Sequence, residues 1–146
     1  MAGAKRARQV AALPTRTDKS GAIEVLLVTS RDTKRWIVPK GWPMEGRSPW
    51  KAAAIEALEE AGVEGDIARK PLGTYTYVKR RDRRPDIPCE VAVYPMQVER
   101  QLKRWKERDQ RERHWFAPAK AADLVDESDL GALLAALDKT SRDKRA

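Results

Sequence analysis

Residues 48–62 constrain what this chain can fold into more than any other stretch. Ser48 can cap a helix, and Pro49 suits its first turn, where the N–H would be unpaired anyway. Ala52 to Ala61 are good helix formers, and Gly62 can end the helix. Within it, Glu56, Glu59 and Glu60 fall at i, i+3 and i+4, which puts three carboxylates on one face. Ala54, Ala57, Leu58 and Ala61 supply an apolar flank that can lie against a sheet. Like charges at these spacings repel by about 0.2–0.5 kcal/mol per pair, and no basic residue follows within a turn to offset them. A solvated acidic face is the ordinary explanation of such a pattern. A divalent cation bound across the glutamates is the other, because it would relieve the repulsion.

Around this helix, strand signals alternate with turns. Residues 9–16 read as a short strand. Residues 23–30, IEVLLVTS, place β-branched residues and leucines between Gly21 and a polar turn, the pattern of a buried strand. Residues 36–38 form a short strand closed by Pro39, and a glycine- and proline-bearing loop over 40–47 leads into the helix. Residues 72–78 and 90–98 alternate like two strands, separated by the basic segment 79–84, and 114–117 is a further short strand. Residues 118–125 and 128–138 read as helices, the second with Leu130, Leu133, Leu134 and Leu137 along one face. This order implies an α/β domain, a sheet covered by helices, with its core over about residues 9–138. The basic ends, 1–8 and 139–146, are expected to fray. Residues 99–113 mix charges of both signs and read as a solvated loop or helix rather than a nucleic-acid stripe.

Composition narrows the chemistry. The 30 Lys plus Arg outnumber the 22 Asp plus Glu, so a polyanion is the expected partner. Cys89 is the only cysteine and His114 the only histidine. An intrachain disulfide and a His-built metal cluster are thereby excluded, and a thiolate zinc site is disfavoured. His114 reads as a strand residue near the surface without a catalytic role. A metal site has to be built mainly from carboxylates and carbonyls, which favour Mg²⁺ or Mn²⁺. The apolar run 10–13 stops at Pro14, too short for the core of a signal peptide, and no run approaches the ~18 apolar residues of a membrane span. A soluble, cytoplasmic protein with no membrane partner is expected.

Taken as one unit, GWPMEGRSPWKAAAIEALEEAGV from Gly41 to Val63 resembles the Nudix box: Gly, five residues, Glu, seven residues, then Arg-Glu-aliphatic-x-Glu-Glu-x-Gly-aliphatic. Gly41, Glu56, Glu59, Glu60, Gly62 and Val63 match with no gap. Arg47 stands where the family has its first glutamate, Ile55 where it has arginine, and Ala57 is smaller than the usual aliphatic residue. In the family that arginine helps orient a catalytic glutamate, so metal binding is better supported here than efficient turnover. Arg35-Trp36-Ile37-Val38-Pro39, Met44-Glu45, Leu72-Gly73, the basic turn at Lys79 to Arg81 and Trp115-Phe116 are similar to the branch that hydrolyses diphosphoinositol polyphosphates and diadenosine polyphosphates. That branch has a run of glycines where this chain has Lys40-Gly41-Trp42-Pro43. Pro43 restrains Trp42 to extended backbone, so a stiffer loop and a differently shaped pocket are expected.

The resemblance implies a Nudix-like α/β/α sandwich with a mixed β-sheet flanked by helices. It implies Mg²⁺- or Mn²⁺-dependent hydrolysis of a phosphoanhydride bond in a diadenosine polyphosphate, a diphosphoinositol polyphosphate or a related nucleoside diphosphate-linked compound. Glu56 and Glu60 would be metal ligands, helped by the backbone carbonyl of Lys40 or Gly41. Glu59 would be the general base and lie close to the metal, although Glu56 and Glu59 could exchange roles. Arg16, Lys40, Lys79, Arg80 and Arg81 are candidates for gripping substrate phosphates, each equally readable as a solvated charge. Arg47, a cation in place of a carboxylate, should favour a more anionic ligand or fewer bound metals. Trp42, in the loop beside the glutamate helix, is the tryptophan best placed to stack on a base, whereas Trp36 and Trp115 read as core. The rival reading, favoured by Arg47 and Ile55, is a Nudix-fold module that senses a nucleotide or RNA with weak or no catalysis.

Overall fold

Two stretches are apolar at every position, Val10 to Leu13 and Val25 to Val28. Successive side chains of a strand point to opposite faces, so a strand apolar throughout has to be covered on both. The computed structural model, which describes residues 6–145 and side chains through residue 138, places these stretches in β1 (Ala7–Thr17) and β2 (Ile23–Thr29) of one mixed sheet. The order is β3 (Trp36–Ile37), β2, β1, β7 (Ile87–Gln101) and β5 (Val63–Ile67). Three further strands join it: β4 (Lys40–Gly41) pairs with β1, β6 (Gly73–Lys79) with β7, and β8 (Arg113–Phe116) with β2. β1 and β7 run parallel from Ala7↔Cys89 to Thr15↔Gln97, and the other pairings are antiparallel.

The alternation divides the core. Val10, Ala12, Leu26 and Val28 meet Ala52 and Ala53 of α1 (Pro49–Glu56), with Ala57 and Ala61 beyond it. Ala11, Leu13, Val25 and Leu27 meet Ala121 of α2 (Pro118–Leu124) and Leu130 and Leu134 of α3 (Ser128–Arg145). Leu13, Leu26, Leu27, Leu130 and Leu134 are fully buried, each worth about 1.5–3 kcal/mol relative to exposure. The architecture is the expected α/β/α sandwich around a mixed sheet. Among the described residues, no helix is long and apolar enough to cross a membrane.

Several local expectations change. β1 begins at Ala7, inside the segment expected to fray, and the α3 backbone continues to Arg145. The rest of that expectation, on residues 1–5 and on side chains from 139, lies outside the described residues. Ser48 occupies the N-cap position of α1, but its buried hydroxyl makes no hydrogen bond; its carbonyl accepts the Ala52 N–H at 3.0 Å instead. The glutamate helix is not α-helical throughout. At Ala57 it widens into a π-helical turn, Ala57–Ala61, closed by Gly62 in the left-handed region. In a wider turn, residues four apart stay in line while residues three apart swing off it. Glu56 and Glu60 are accordingly buried, at 9% and 7% exposed, and Glu59 is only half-buried.

Gly62 sits at φ +65°, and a Cβ built on it would meet the Trp105 ring at 2.6 Å. Gly62→Ala therefore adds left-handed strain of about 1–2 kcal/mol to the displacement of a tryptophan. The thermal midpoint is expected to fall by about 4–8 °C in a calorimetric scan, and an unchanged midpoint would contradict this account of the helix end.

Candidate metal and phosphate site

The glutamate pair owes its position to the pairing of β4 with β1. Val10↔Gly41 and Ala11↔Lys40 are in register, and the Ala12 N–H donates to the Pro39 carbonyl at 3.0 Å. The loop backbone is thereby fixed beside the end of α1. Glycine at 41 lets the Glu56 carboxylate lie directly against the loop backbone, because a Cβ there would overlap it and displace that side chain. Glu60 Oε1 accepts the Lys40 backbone N–H at 3.2 Å. Burial pushes the Glu56 carboxyl up to about 7, and the negative charges of Glu59 and Glu107 add to the shift. Burial also raises Glu60 to about 7, with Glu56 reinforcing it and Arg111 and Lys40 opposing it. Lys40 is lowered to about 8 by burial, partly offset by Glu60. Its ammonium lies 5.0 Å from the centre of the Tyr77 ring.

A helix end leaves carbonyls without intrahelical partners. Here residues 102–113 supply partners. The Glu59 carbonyl accepts from Glu107 N at 3.0 Å, and that of Glu60 from Trp105 Nε1 at 3.1 Å. The Ala61 carbonyl accepts from the Arg113 guanidinium at 2.9 Å, and that of Gly62 from Leu102 N at 2.8 Å. The same segment brings counterions. Lys106 Nζ lies 3.5 Å from Glu59 Oε2, and the Arg111 guanidinium 3.8 Å from Glu60 Oε2. Most of the charged run is exposed loop, as expected, but Arg111 turns inward from it, its side chain only 8% exposed. No counterion comes from the helix's own next turn, as the sequence implies; those present come from about fifty residues further along the chain. One signal was available in the sequence: Trp105, a large aromatic among charges, needs something to pack on.

Beside this pair is a cavity of about 410 Å³. Of the residues singled out from the sequence, Lys40, Gly41, Trp42, Glu60, Lys79 and Arg80 line it. Arg16 does not; it pairs with Glu24 at 2.9 Å and lies over the Trp115 ring. Arg81 donates to the Pro85 carbonyl, and Arg47 is exposed away from the lining. Glu56 and Glu59 are also outside the lining. Arg31, Arg35 and Arg111 join it, together with Gln9 and Tyr77, none of which composition or spacing had marked. Arg35 is braced by Glu127 at 2.7 Å. Trp42 is 45% exposed, whereas Trp36 packs edge-on against Phe116 and Trp115 against the α1-side core. His114 is exposed on β8.

Among the described residues, no three carboxylate, imidazole or thiol side chains are gathered closely enough to hold an ion as they stand. The donor chemistry of the Glu56–Glu60 pair nevertheless fits a hard divalent cation. Both groups offer oxygen, both are buried, and burial raises the proton affinity of each despite the nearby cations. Mg²⁺ needs only one or two carboxylates because it keeps several waters. A proton and a cation compete for the same oxygens here. With both carboxyls at about 7, the ionised pair is scarce at pH 6 and dominant at pH 8. The apparent affinity for Mn²⁺ is therefore expected to rise on the order of 10–100-fold between those pH values, with proton release on binding below pH 7. Calorimetric titration in two buffers of different ionisation enthalpy measures both, and an affinity flat across that range would contradict the shifts.

Comparison with known proteins identifies the family and the fold. The family model described as NUDIX domain matches residues 5–137. Nudix hydrolase 12, mitochondrial, of Arabidopsis thaliana is 32% identical over 105 residues, which cover 70% of this chain and 52% of that protein. Diphosphoinositol polyphosphate phosphohydrolase 3-beta of Bos taurus is 38% identical over 96 residues, 64% of this chain and 54% of that one. This chain spans about half the length of these curated relatives. The fold is shared with a C. elegans Ap4A hydrolase (TM-score 0.62, 20% identity, covering 88% of this chain and 93% of that one). It is shared as well with the NUDIX domain of Shewanella oneidensis NrtR complexed with ADP ribose (TM-score 0.65, 17% identity, covering 97% and 90%).

Proposed function

Because this chain belongs to the NUDIX domain family, we propose that it hydrolyses a phosphoanhydride bond in a small polyphosphorylated metabolite, using Mg²⁺ or Mn²⁺ held by Glu56 and Glu60. The observation that carries this reading is the buried Glu56–Glu60 pair, with Glu60 opening on a cavity lined by Arg31, Arg35, Lys40, Lys79, Arg80 and Arg111. A substrate bearing several phosphates would bring its charge to the cations, with its anhydride link near the carboxylate pair that would hold the metal.

Glu56 and Glu60 would hold the metal, and its chemistry there would be neutralisation of phosphate charge and activation of water for in-line displacement. The chain's own groups divide the remaining work. Lys40 and Arg80 grip phosphate oxygens from the cavity wall, and Lys40, at about 8, is mostly charged at neutral pH. Glu59, half-buried and held at 3.5 Å from Lys106, takes the proton of the attacking water, with Glu56 as the other candidate base. Trp42 offers an exposed ring beside the cavity for a nucleobase. Diadenosine polyphosphates, diphosphoinositol polyphosphates and related nucleoside diphosphate-linked compounds are the substrates this arrangement suits. The names of the bovine relative and of the C. elegans structure support the same two classes. A second reading, ligand binding without turnover, has Ile55 in its favour: no arginine on α1 reaches the glutamates.

Incubation with Mg²⁺ or Mn²⁺ and a panel of these compounds, nucleoside triphosphates, nucleotide sugars and triphosphorylated RNA, followed by product identification, separates the two. Turnover is expected for at least one polyphosphate, and Glu60→Gln should remove at least about 100-fold of it, the size of a lost metal-linked electrostatic term. Tight binding with no product across the panel would instead establish the sensor.

A further inference from the structure

Arg111 lies where two cavities meet. Its side chain is 8% exposed, and it lines both the site cavity and a second one, about 620 Å³, that contains Trp105 and Arg113. Three groups surround its guanidinium. Nε donates to Glu107 Oε1 at 2.8 Å, and one terminal nitrogen donates to the Thr29 carbonyl at 3.1 Å. The other terminal nitrogen is 3.8 Å from Glu60 Oε2, too far for a hydrogen bond. The cation is thus pinned by the 102–112 segment and by β2, and it faces Glu60 across a gap. Glu60's other oxygen is taken by the Lys40 N–H, so Oε2 is the one drawn toward positive charge while keeping its lone pairs. Nothing on α1 could do this: its only cation is Lys51, and Ile55, one residue before Glu56, is apolar.

We propose that Arg111 is a positioning residue for the carboxylate site, holding Glu60 from outside its helix in the orientation that ligates metal, without occupying the oxygen the metal needs. The proposal rests on the reading of Glu56 and Glu60 as metal ligands. Two effects of Arg111 on a bound dication have opposite signs: orienting Glu60 strengthens binding, and like charge weakens it. The first dominates because the guanidinium lies directly against Glu60 Oε2 at 3.8 Å, while Glu107, in hydrogen-bond contact on its other side, limits the field that reaches beyond that carboxylate. A lysine cannot replace it, since one ammonium on a flexible stem does not span Glu107, the Thr29 carbonyl and Glu60 together.

Mn²⁺ titration followed by electron paramagnetic resonance on the metal-free chain at pH 8 tests this without reference to turnover. Arg111→Met is expected to bind Mn²⁺ at least about 10-fold more weakly than wild type, the range for losing a group that orients a ligand. Arg111→Lys should fall between the two. A thermal scan of each variant identifies those that fold, and if the Met variant does not, the Lys variant decides alone. A folded variant of either kind that binds Mn²⁺ as tightly as wild type, or more tightly, overturns the proposal; the tighter result would mean that Arg111 acts only as a repelling charge. A wild type that binds no Mn²⁺ overturns the metal reading itself and this role with it, an outcome distinct from equal binding by variant and wild type.

Discussion

Two carboxyls, Glu56 and Glu60, share a space closed off by the backbone of Lys40 and Gly41. Burying one acid without full compensation is costly, and burying two side by side is more so, which is why both hold protons up to about neutrality. Nothing in the stability of the fold calls for this arrangement. It persists because the rest of the molecule imposes it. β1 fixes β4, β4 brings Gly41 against Glu56, and the 102–113 segment satisfies the carbonyls of the widened turn from the opposite side. A site held in unfavourable electrostatics by surrounding geometry is the usual mark of a group waiting for a ligand.

The charges around the pair are sorted by reach. Arg111 is enclosed and tied to Glu107 and the Thr29 carbonyl, so it serves the protein's own carboxylate. Arg31, Lys79 and Arg80 line the cavity from exposed or half-buried positions, where an incoming anion can meet them. Lys40 belongs to both groups: its backbone binds Glu60, and its ammonium lies over Tyr77 on the cavity wall. This accounts for a chain with net charge +8 that still keeps an acidic centre. Arg31, Arg35, Lys40, Lys79, Arg80 and Arg111 line the cavity, and the Glu56 and Glu60 carboxyls are buried beside it.

Much of this was legible in the residues. The uninterrupted apolar runs in β1 and β2 call for cover on both faces, and two helical layers provide it. Gly62 and Pro49 mark the ends of the helix because their backbone preferences are local. What was not legible depends on contacts distant in sequence. The π-helical turn has no local signature; it swings Glu59 off the line of the other two glutamates, a shift that i, i+3, i+4 spacing cannot reveal. β5, VEGDI, is short, with a glycine at its centre and a bulge at Glu64/Gly65, so only Val63 and Ile67 mark the face it lays on the α1-side core. Residues 102–112 look solvated by composition, yet Arg111 is buried there because its partners, Glu60 and the Thr29 carbonyl, come from two other elements.

The central claim is that a hard divalent cation binds between Glu56 and Glu60, and crystals soaked in Mn²⁺ at pH 8 and measured at the manganese edge test it most directly. The expected result is an anomalous peak about 2.1 Å from one oxygen of each carboxylate, with a backbone carbonyl of Lys40 or Gly41 and waters completing the shell. Anomalous density only elsewhere on the protein, with both carboxylates unligated, would contradict the account.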